Sequence, residues 1–279
     1  GVCSADPDCD DRIDGGELCQ LTPSLVRLDN THHVTWENID LQGGRGSALH
    51  LLNSSDVIID GADISNMAVS AIVVSGGFRN TLRRLAVFET GMGGVTLSGG
   101  ERETLTPCNH VLEDSNLYRT DRWKFTEVPT VRQHGVGTVV RHNLIEHNRQ
   151  VAFRQGGNNH VIELNIIRNT TYACWDCGAY HSGGDQTWRG NVIRDNVFVT
   201  DDQASGKNFP CVKTATSCVR TALYFDGHQS GVQVRGNVMV GHENGVFVGM
   251  GRWNNMSGNL FISCGAGAVF LSCNPGHKH

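Results

Sequence analysis

The sequence predicts an all-β fold, a single-stranded right-handed parallel β-helix of about nine coils, and three observations lead to it. A hydrophobic segment that ends in glycine recurs, as in VSAIVVSGG from Val69 and GVFVGMG from Gly245. A second segment, in which asparagine precedes apolar residues, also recurs, and Asn143 and Asn165 are 22 residues apart. No apolar pattern of helical period persists beyond a turn or two.

A period of about 22 residues fits one turn of a β-helix, in which short strands are joined by tight bends. We expect alternate apolar residues to point into a central stack. Asparagine suits the bends because it tolerates left-handed backbone angles, and asparagines stacked on successive coils would form a ladder of side-chain amides. The recurring asparagines are Asn143, Asn165, Asn196, Asn237 and Asn259.

Glycine pairs beginning at Gly76, Gly99, Gly156 and Gly183 predict a further bend that needs positive φ. Two coils carry longer loop excursions, at Tyr118–Pro129 and at Asp201–Val219. Such excursions from one side of a solenoid either wall a groove or only cover an edge.

The chain divides into a disulfide-rich segment, residues 1–23, and the β-helix, residues 24–279. Residues 6–17, DPDCDDRIDGGE, resemble an EF-hand loop that would hold a structural Ca²⁺ and cap the solenoid. Asp11 stands where that loop expects glycine, so an acidic turn clamped by Cys9 and Cys19 is the alternative. We expect no catalytic cofactor. The predicted ligands are Asp6, Asp8, Asp10, the Arg12 carbonyl, Asp14 and Glu17.

Cysteines and sequons indicate a secreted protein of the cell surface or extracellular space. An even number of cysteines, 10, suits disulfides in an oxidising compartment. For the Cys174-x-x-Cys177 pair, a disulfide is favoured over a zinc half-site or a redox pair. Asn53, Asn169 and Asn255 head glycosylation sequons. The predicted disulfide cysteines are Cys3, Cys9, Cys19, Cys108, Cys174, Cys177, Cys211, Cys218, Cys264 and Cys273.

Composition excludes several partners. The net charge is -5 and no basic stripe appears, so we expect no nucleic-acid partner. No apolar run approaches the roughly 20 residues that span a bilayer. A signal peptide is also absent from the start, which suggests a mature or excised form. An uncovered terminal coil would permit end-to-end self-assembly.

Two segments in neighbouring coils, residues 174–191 and 222–231, carry the best candidates for chemistry. Aligning their repeats places Asp226 beside Ser182, with Asp176 just before the same strand. Two carboxylates in one open groove are what glycoside hydrolysis needs, one as acid and the other as nucleophile or base. Alternatively, these aspartates only form hydrogen bonds at bends. Side chains that would shape the sugar site are Arg154, Trp175, Tyr180 and His181, with Trp123 as a stacking platform.

The stretch GVGTVVRHNLIEHNRQVAFRQGGNNHVIELNIIRN, followed by DCGAY, TWRGNVIRDN, LYFD and GVFVGMGRWNN, resembles the β-helix glycosidases of glycoside hydrolase family 141. The resemblance extends from about Ser24 to Cys273. It implies fucosidase-like or xylanase-like activity with two catalytic aspartates, which match Asp176 in the DxGA motif and Asp226 in the YxD motif.

Four positions depart from the family pattern. His181 replaces a tyrosine, Gly184 an arginine, Gln186 a tryptophan and Gly227 an aspartate. The chain is also shorter than typical members. These changes suit either a different sugar specificity or a fold retained without catalysis.

Three functions therefore remain open. The first is a secreted glycoside hydrolase acting on a cell-wall or extracellular polysaccharide. The second is a non-catalytic surface glycoprotein, a scaffold or filament subunit with a degenerate glycosidase site. The third is a carbohydrate-binding module that uses tryptophans as stacking platforms.

Overall fold

The computed structural model describes residues 24–124, 126–174, 176–200 and 220–272. Several predictions fall outside these residues: the calcium loop, Trp175 and the excursion at 201–219. Six cysteines also lie outside them, namely Cys3, Cys9, Cys19, Cys211, Cys218 and Cys273.

The described chain folds into short strands. In chain order these are β1 (Val26–Asp29), β2 (Thr35–Glu37), β3 (Leu41–Gly44), β4 (Leu49–Leu52), β5 (Ile58–Asp60), β6 (Asp63–Met67), β7 (Ile72–Ser75), β8 (Thr81–Arg83), β9 (Ala86–Phe88), β10 (Val95–Gly99), β11 (Val111–Glu113), β12 (Asn116–Tyr118), β13 (Val131–Val136), β14 (Val139–Arg141), β15 (Leu144–Asn148), β16 (Phe153–Asn158), β17 (Val161–Glu163), β18 (Ile166–Thr170), β19 (Gly178–Gly183), β20 (Val192–Arg194), β21 (Val197–Val199), β22 (Thr221–Asp226), β23 (Gln233–Arg235), β24 (Val238–Val240), β25 (Asn244–Gly249), β26 (Asn255–Ser257), β27 (Leu260–Ile262) and β28 (Gly267–Ser272).

Every third strand belongs to the same sheet, which confirms the parallel β-helix. Sheet 1 has 10 strands, from β1 through β4 and β7 to β28. Sheets 2 and 3 have 9 strands each and begin at β2 and β3. Successive coils therefore pair in parallel along the whole described solenoid, with nine complete turns and one further strand, as the repeat predicts.

The core is filled by alternate residues of each strand. In sheet 1 one column of paired, buried side chains runs through eight coils, because successive strands pair in register. This column consists of Leu49, Ile72, Val95, Val131, Phe153, Tyr180, Leu223 and Val246. Side chains at the intervening positions point outward, which is the period-2 rule of a strand.

A ladder of asparagine amides lies at the bend between sheets 2 and 3, as predicted. Asn196 Oδ1 accepts hydrogen bonds from the backbone N–H and the Nδ2 of Asn165, both at 3.0 Å. Asn196 Nδ2 donates in turn to Asn237 Oδ1 at 3.0 Å and to the carbonyls of Ile162 and Arg194. The same pattern links Asn143 to Asn165 and Asn237 to Asn259. Each rung thus satisfies buried backbone groups of the next coil.

A second stack lies at the bend between sheets 1 and 2. Here the backbone N–H of one coil donates to the side chain of the next, and the accepting side chains are asparagines and histidines. Asn80 N donates to His110 Nδ1 at 3.2 Å, and His160 N donates to Asn191 Oδ1 at 3.0 Å. Burial lowers the pKa of His110 and of His160 to about 4, so both rings are neutral at pH 7 and accept at Nδ1.

The glycine pairs also fall at this bend, between sheets 1 and 2. Gly76, Gly100, Gly157 and Gly184 have positive φ. One member of each predicted pair, or its direct neighbour, therefore makes the left-handed turn.

The outer face of sheet 2 carries ion pairs between neighbouring coils. Asp60 Oδ2 lies 2.8 Å from Arg83 Nη2, and Glu113 Oε2 lies 2.7 Å from Arg141 Nη2. Ion pairs between coils therefore occupy the outer face of sheet 2.

We predict that Asn196→Ala destabilises the solenoid, because it removes two donors and leaves the buried N–H of Asn165 without an acceptor. The expected loss is about 3 kcal/mol of unfolding free energy, measured by chemical denaturation. Gln233→Ala, at an exposed position of β23, is the control and should change the value by less than about 0.5 kcal/mol. Equal losses for both variants would contradict a structural role for the ladder.

We predict that stability falls as the pH drops from about 6.5 to about 4. In the unfolded chain a histidine takes up a proton near pH 6.5, whereas His110, His160 and His242 in the fold do so only near pH 4. Unfolding therefore binds protons in this window, and acid favours it.

The variant His160→Asn, which places on this rung the residue found at Asn80 and Asn191, should reduce that proton uptake by about one. The measurement is the melting temperature as a function of pH. His33→Asn, at a side chain that is 80% exposed, is the control and should leave the slope unchanged. A slope that His160→Asn does not reduce would refute the assignment.

Candidate active site

The outer face of sheet 1 holds a pocket of about 260 Å³. Its floor is made by outward side chains of β16 and β19, and its wall by two loops that leave the bend between sheets 3 and 1. One loop follows β12 and the other follows β18. The lining residues are Thr126, Glu127, Pro129, Gln150, Val151, Arg154, Ala173, Cys174, Asp176, Cys177 and His181. The described excursion after Tyr118 therefore walls a groove, the first of its two predicted roles.

One row of outward side chains crosses the site from coil to coil. Arg154 pairs with His181, and His181 pairs with Tyr224, in the register of sheet 1. The rings of His181 and Tyr224 lie 4.9 Å apart, centroid to centroid. Tyr224 pairs in turn with Phe247, whose ring stacks on it at 4.4 Å. The row thus changes from cationic to aromatic along the solenoid axis.

The structure brings Asp176 and Asp226 to this row. Tyr224 Oη donates a hydrogen bond to Asp176 Oδ1 at 2.5 Å. Asp226 Oδ2 lies 3.7 Å from His181 Nε2, and Asp226 Oδ1 accepts the N–H of Gly227 at 2.7 Å. Both carboxylates are exposed. Neither belongs to a bend ladder, and the adjacent, tilted rings of Tyr224 and His181 lie between them.

The register corrects one prediction. Asp226 pairs with Gly183, whereas Ser182 pairs with Phe225. The repeat alignment was one residue out, and a one-residue shift moves a side chain to the other face of a sheet. Ser182 accordingly points inward, where its hydroxyl donates to Gln229 Oε1 at 2.6 Å.

His181 is buried but lacks hydrogen bonds. Its side chain is 7% exposed, and neither ring nitrogen has a hydrogen-bond partner. Burial lowers the pKa of His181 to about 4, and the charge of Arg154 lowers it further, against Asp226, Glu127 and Asp176, which raise it. The ring is therefore neutral at pH 7, with one N–H and one acceptor nitrogen, neither of which has a hydrogen-bond partner.

Tyr224 and Arg154 complete the polar set. Burial, and next the hydrogen bond to Asp176, raise the pKa of Tyr224, so its hydroxyl stays protonated and donates. Arg154 Nη2 lies 3.7 Å from Glu127 Oε2 in a partly exposed ion pair. That distance is too long for a hydrogen bond. The guanidinium thus has N–H groups free to bind a hydroxyl in the pocket.

Tyr180 does not reach the groove. It is fully buried in the core, and its hydroxyl donates to Gln155 Oε1 at 2.6 Å. Gln155 donates to Gln133 Oε1 at 3.0 Å. The alternation that turns His181 outward necessarily turns Tyr180 inward. Tyr180 therefore supports the site from below, and the structure removes it from the sugar-binding set.

Trp123 also lies apart from the pocket. Its Nε1 donates to the carbonyl of Ala68 at 3.0 Å, because the loop after β12 folds back over Gly91 toward earlier coils. Ala68 and Asp176 lie at bends that are four strands of sheet 1 apart, roughly 19 Å at a strand spacing of about 4.8 Å. Trp123 is 54% exposed and could serve only a remote surface.

The cysteines divide into bonded and free. Cys174 and Cys177 form a disulfide, as predicted, in the loop that carries Asp176. Cys108 and Cys264 instead have free thiols, in contrast to the prediction. Cys108 is buried, and burial raises its thiol pKa. Within the described residues, no group of three or more His, Cys, Asp or Glu could hold a metal ion.

The sequons differ in accessibility. Asn53 and Asn255 are exposed, whereas Asn169 is 5% exposed. A glycan needs a side chain that reaches solvent, so the structure disfavours glycosylation at Asn169 and is compatible with it at the other two positions.

Tyr224, Glu127 and the aromatic row were not predicted from the sequence. A signal for Tyr224 was present, since it stands two residues before Asp226 on one strand and must share its face. Glu127 had none, because its approach to Arg154 depends on the path of the loop after β12.

Comparisons with known proteins support the fold. No protein-family model matches the chain, and no curated protein matches it. The catalytic domain of a GH87 α-1,3-glucanase, solved in complex with tetrasaccharides, is 12% identical with a TM-score of 0.55, over 86% of this chain and 47% of that one. A second structure, titled glycoside hydrolase, is 12% identical with a TM-score of 0.49, over 78% of this chain and 38% of that one.

The Streptococcus pneumoniae surface protein and adhesin PfbA is 11% identical with a TM-score of 0.36, over 88% of this chain and 83% of that one. At these identities the likeness concerns the fold alone. The chain spans less than half the length of the two glycoside hydrolase structures. Membership of glycoside hydrolase family 141 stays a prediction. In the part of the chain described here, no helix is long and apolar enough to cross a membrane.

We predict that alanine substitutions at two glycines beside Asp226 differ strongly in their effect on the free energy of unfolding. A Cβ at Gly183 would lie 2.4 Å from the Asp226 carbonyl oxygen, whereas a Cβ at Gly227 would meet nothing within 4 Å. Gly183→Ala should therefore cost about 2 kcal/mol of unfolding free energy, and Gly227→Ala less than about 0.5 kcal/mol. Thermal and chemical denaturation measure both. A costly Gly227→Ala would show that the space beside Asp226 is filled.

Proposed function

We propose that this chain is an extracellular carbohydrate-active protein that hydrolyses a glycosidic bond of a polysaccharide, with Asp176 and Asp226 as the reacting carboxylates. The observation that carries the proposal is their convergence on the Tyr224–His181 pair at the mouth of a pocket. Two carboxylic groups that flank one open groove are the minimum that glycoside hydrolysis requires.

The pocket gives each residue a role. The hydroxyl of Tyr224 fixes the orientation of the Asp176 carboxylate, as a nucleophile or base needs. Asp226 then protonates the leaving oxygen, while Asp176 attacks the anomeric carbon or removes a proton from the attacking water. Neutral His181 and the free N–H groups of Arg154 bind sugar hydroxyls in the pocket.

The fold and the disulfide support an extracellular, carbohydrate-active protein. The solenoid is shared with an α-1,3-glucanase catalytic domain that was solved with bound tetrasaccharides. The Cys174–Cys177 disulfide favours an oxidising compartment. A structural Ca²⁺ in residues 6–17 and glycans at Asn53 and Asn255 belong to the same proposal.

A specific observation favours the non-catalytic alternative. The resemblance to family 141 expects an arginine at Gly184 and an aspartate at Gly227, and the space that their side chains would enter is open in this structure. A site that lacks these two groups could retain a glycan without cleaving it. The chain would then be a binding module or a surface scaffold.

We predict that Asp176→Asn and Asp226→Asn each lower hydrolysis at least 100-fold, since general acid–base or nucleophilic roles contribute about that much. The assay uses a panel of aryl glycosides, including fucosides and xylosides, and of cell-wall polysaccharides. Asp114→Asn is the matched control, because Asp114 lies at the bend between sheets 2 and 3 and pairs with His142. It should retain full activity.

The outcomes separate the alternatives. Turnover that survives both substitutions, or no turnover by the unmodified chain, would overturn the catalytic proposal. If glycan binding persists without turnover, the binding module is supported. If neither binding nor turnover is found, the scaffold remains.

A further inference from the structure

The loop after β18, residues 171–177, carries Asp176 and is tied to the preceding bend by three hydrogen bonds. Gln150 Nε2 donates to the carbonyl of Ala173 at 3.1 Å. The backbone N–H of Thr171 donates to the Gln150 carbonyl at 3.1 Å, and that of Ala173 donates to the Arg149 carbonyl at 3.0 Å. Gln150 is 5% exposed and lines the pocket, as Ala173 does. The position of this Asp176 loop therefore depends on how the bend at Gln150 is held.

Asp121 holds the bend at Gln150 from one coil nearer the N-terminus. Its Oδ2 accepts the backbone N–H of Gln150 at 2.6 Å, and Asp121 is only 3% exposed. A carboxylate that accepts a buried N–H makes a short, charge-assisted hydrogen bond. A chain of contacts thus runs from Asp121 through Gln150 to Ala173, across three successive bends between sheets 3 and 1.

The disulfide carries this chain of contacts on to Asp176. Cys174, which follows Ala173 directly, is bonded to Cys177, and Asp176 lies between the two cysteines. Such a cross-link limits the conformations open to the segment that it closes. A movement at Ala173 is therefore passed to Asp176, whose carboxylate meets the Tyr224 hydroxyl only if the loop is in place.

Asp121 carries its charge in a place that disfavours charge. Burial raises the pKa of Asp121 to about 6, against the backbone hydrogen bond from Gln150 and the charge of Arg149, which lower it. Other ionisable groups on the elements packed around this bend are Tyr172, His147 and the ion-paired Arg119, Arg122 and Glu89.

Two of these groups bear directly on the titration. Burial, and next the charge of Asp121, raise the pKa of Tyr172, so that hydroxyl stays neutral when Asp121 changes its charge. His147 lies beside Glu146 and its side chain is 45% exposed. A histidine can change its charge in the same pH range as Asp121. An experiment on Asp121 therefore needs His147 as its control.

We propose that Asp121 is a positioning residue for the loop that carries Asp176, and that the loop is held more firmly when Asp121 is protonated. The inference rests on the proposed function only for the role of Asp176. A protonated carboxyl still offers its carbonyl oxygen to the N–H of Gln150. The hydrogen bond therefore persists in acid, while the cost of a buried charge disappears.

The direction of the pH effect follows from linkage. Detachment of the loop would expose Asp121 to water, where a carboxyl takes up a proton near pH 3.9. The attached loop lets Asp121 take up the proton near pH 6. The attached state therefore binds the proton more tightly, and attachment strengthens as the pH falls from 7.5 to 5. Global stability changes the other way in this range, because His110, His160 and His242 dominate it.

The test is hydrogen exchange of the Thr171 and Ala173 amides in the full chain, followed by NMR as protection factors that correct for intrinsic rates. In the parent, protection should rise about 10-fold between pH 7.5 and pH 5. Asp121→Asn keeps an acceptor oxygen without the charge, so its protection should be equal at both pH values. Asp121→Ala removes the acceptor and should lower protection about 10-fold at both. The amides of β20, in the core, should not share the rise.

The matched control is His147→Asn. His147 has a φ of 55°, which asparagine tolerates. This variant removes the histidine of the bend and leaves Asp121 in place, so it should retain the pH dependence of the parent.

The inference would be overturned by a pH dependence that survives in Asp121→Asn or is lost in His147→Asn, or by parental protection in Asp121→Ala. If Asp121→Ala does not fold, Asp121→Asn alone decides in the same way. Hydrolysis is measured separately, and Asp121→Ala should lower kcat more than it changes KM. The expected exchange pattern without hydrolysis by the unmodified chain would sustain the role of Asp121 and refute the catalytic proposal. Hydrolysis without that pattern would do the reverse.

Discussion

The asparagine ladder between sheets 2 and 3 is the interaction on which the rest of the solenoid depends. Each amide accepts from one coil and donates to another, so a coil can pair with its neighbour in one register only. A slip of one residue would leave buried donors without acceptors, at about 1–3 kcal/mol each. It would also turn every core side chain outward. The ladder therefore selects the register, and the register selects which side chains face the groove.

The candidate site follows from that constraint. Glu127, Arg154, Asp176 and Tyr224 are far apart in sequence, yet stacking at a strand spacing of about 4.8 Å brings them to one surface. Sheet 2 has its outer face occupied by ion pairs between coils, such as Asp60 with Arg83. On sheet 1 the corresponding row changes from arginine to histidine to aromatic rings. The outward row of sheet 1 therefore changes its residue type from coil to coil, whereas a repeat favours the same residue on every coil.

Sequence periodicity was enough to predict the coils, the asparagine ladder and the glycine bends, because each depends on local backbone preference repeated at a fixed interval. It also selected Asp176, Asp226, His181 and Arg154, which the structure brings to one surface and whose roles stay predictions. Prediction from the repeat failed where a long loop interrupts the spacing of about 22 residues. The long insertion between β21 and β22 hid the register of Asp226, and the backward fold of the loop after β12 took Trp123 away from the pocket.

Tyr180 and Cys108 show a different limit. Tyr180 was predicted to shape the sugar site together with His181, although adjacent residues of a strand face opposite sides. Its hydroxyl needs a buried partner, and Gln155 supplies it. Cys108 was assigned to a disulfide from the cysteine count, whereas in the structure it behaves as a small buried apolar side chain. The number of cysteines indicates the compartment, but only the packing of the chain determines which two thiols lie close enough to form a disulfide.

The contrast between the ladder and the site is itself informative. The ladder amides are fully bonded, whereas His181 is buried a few ångströms from Asp226 with neither nitrogen bonded. A buried polar group without a partner is costly, and a functional role is one explanation for such a group. The open space at Gly227 and the unbonded guanidinium of Arg154 lie beside the same row. A hydroxyl-rich ligand would satisfy these groups together, as the proposed function requires. The unsatisfied groups and the acidic pair therefore support that proposal.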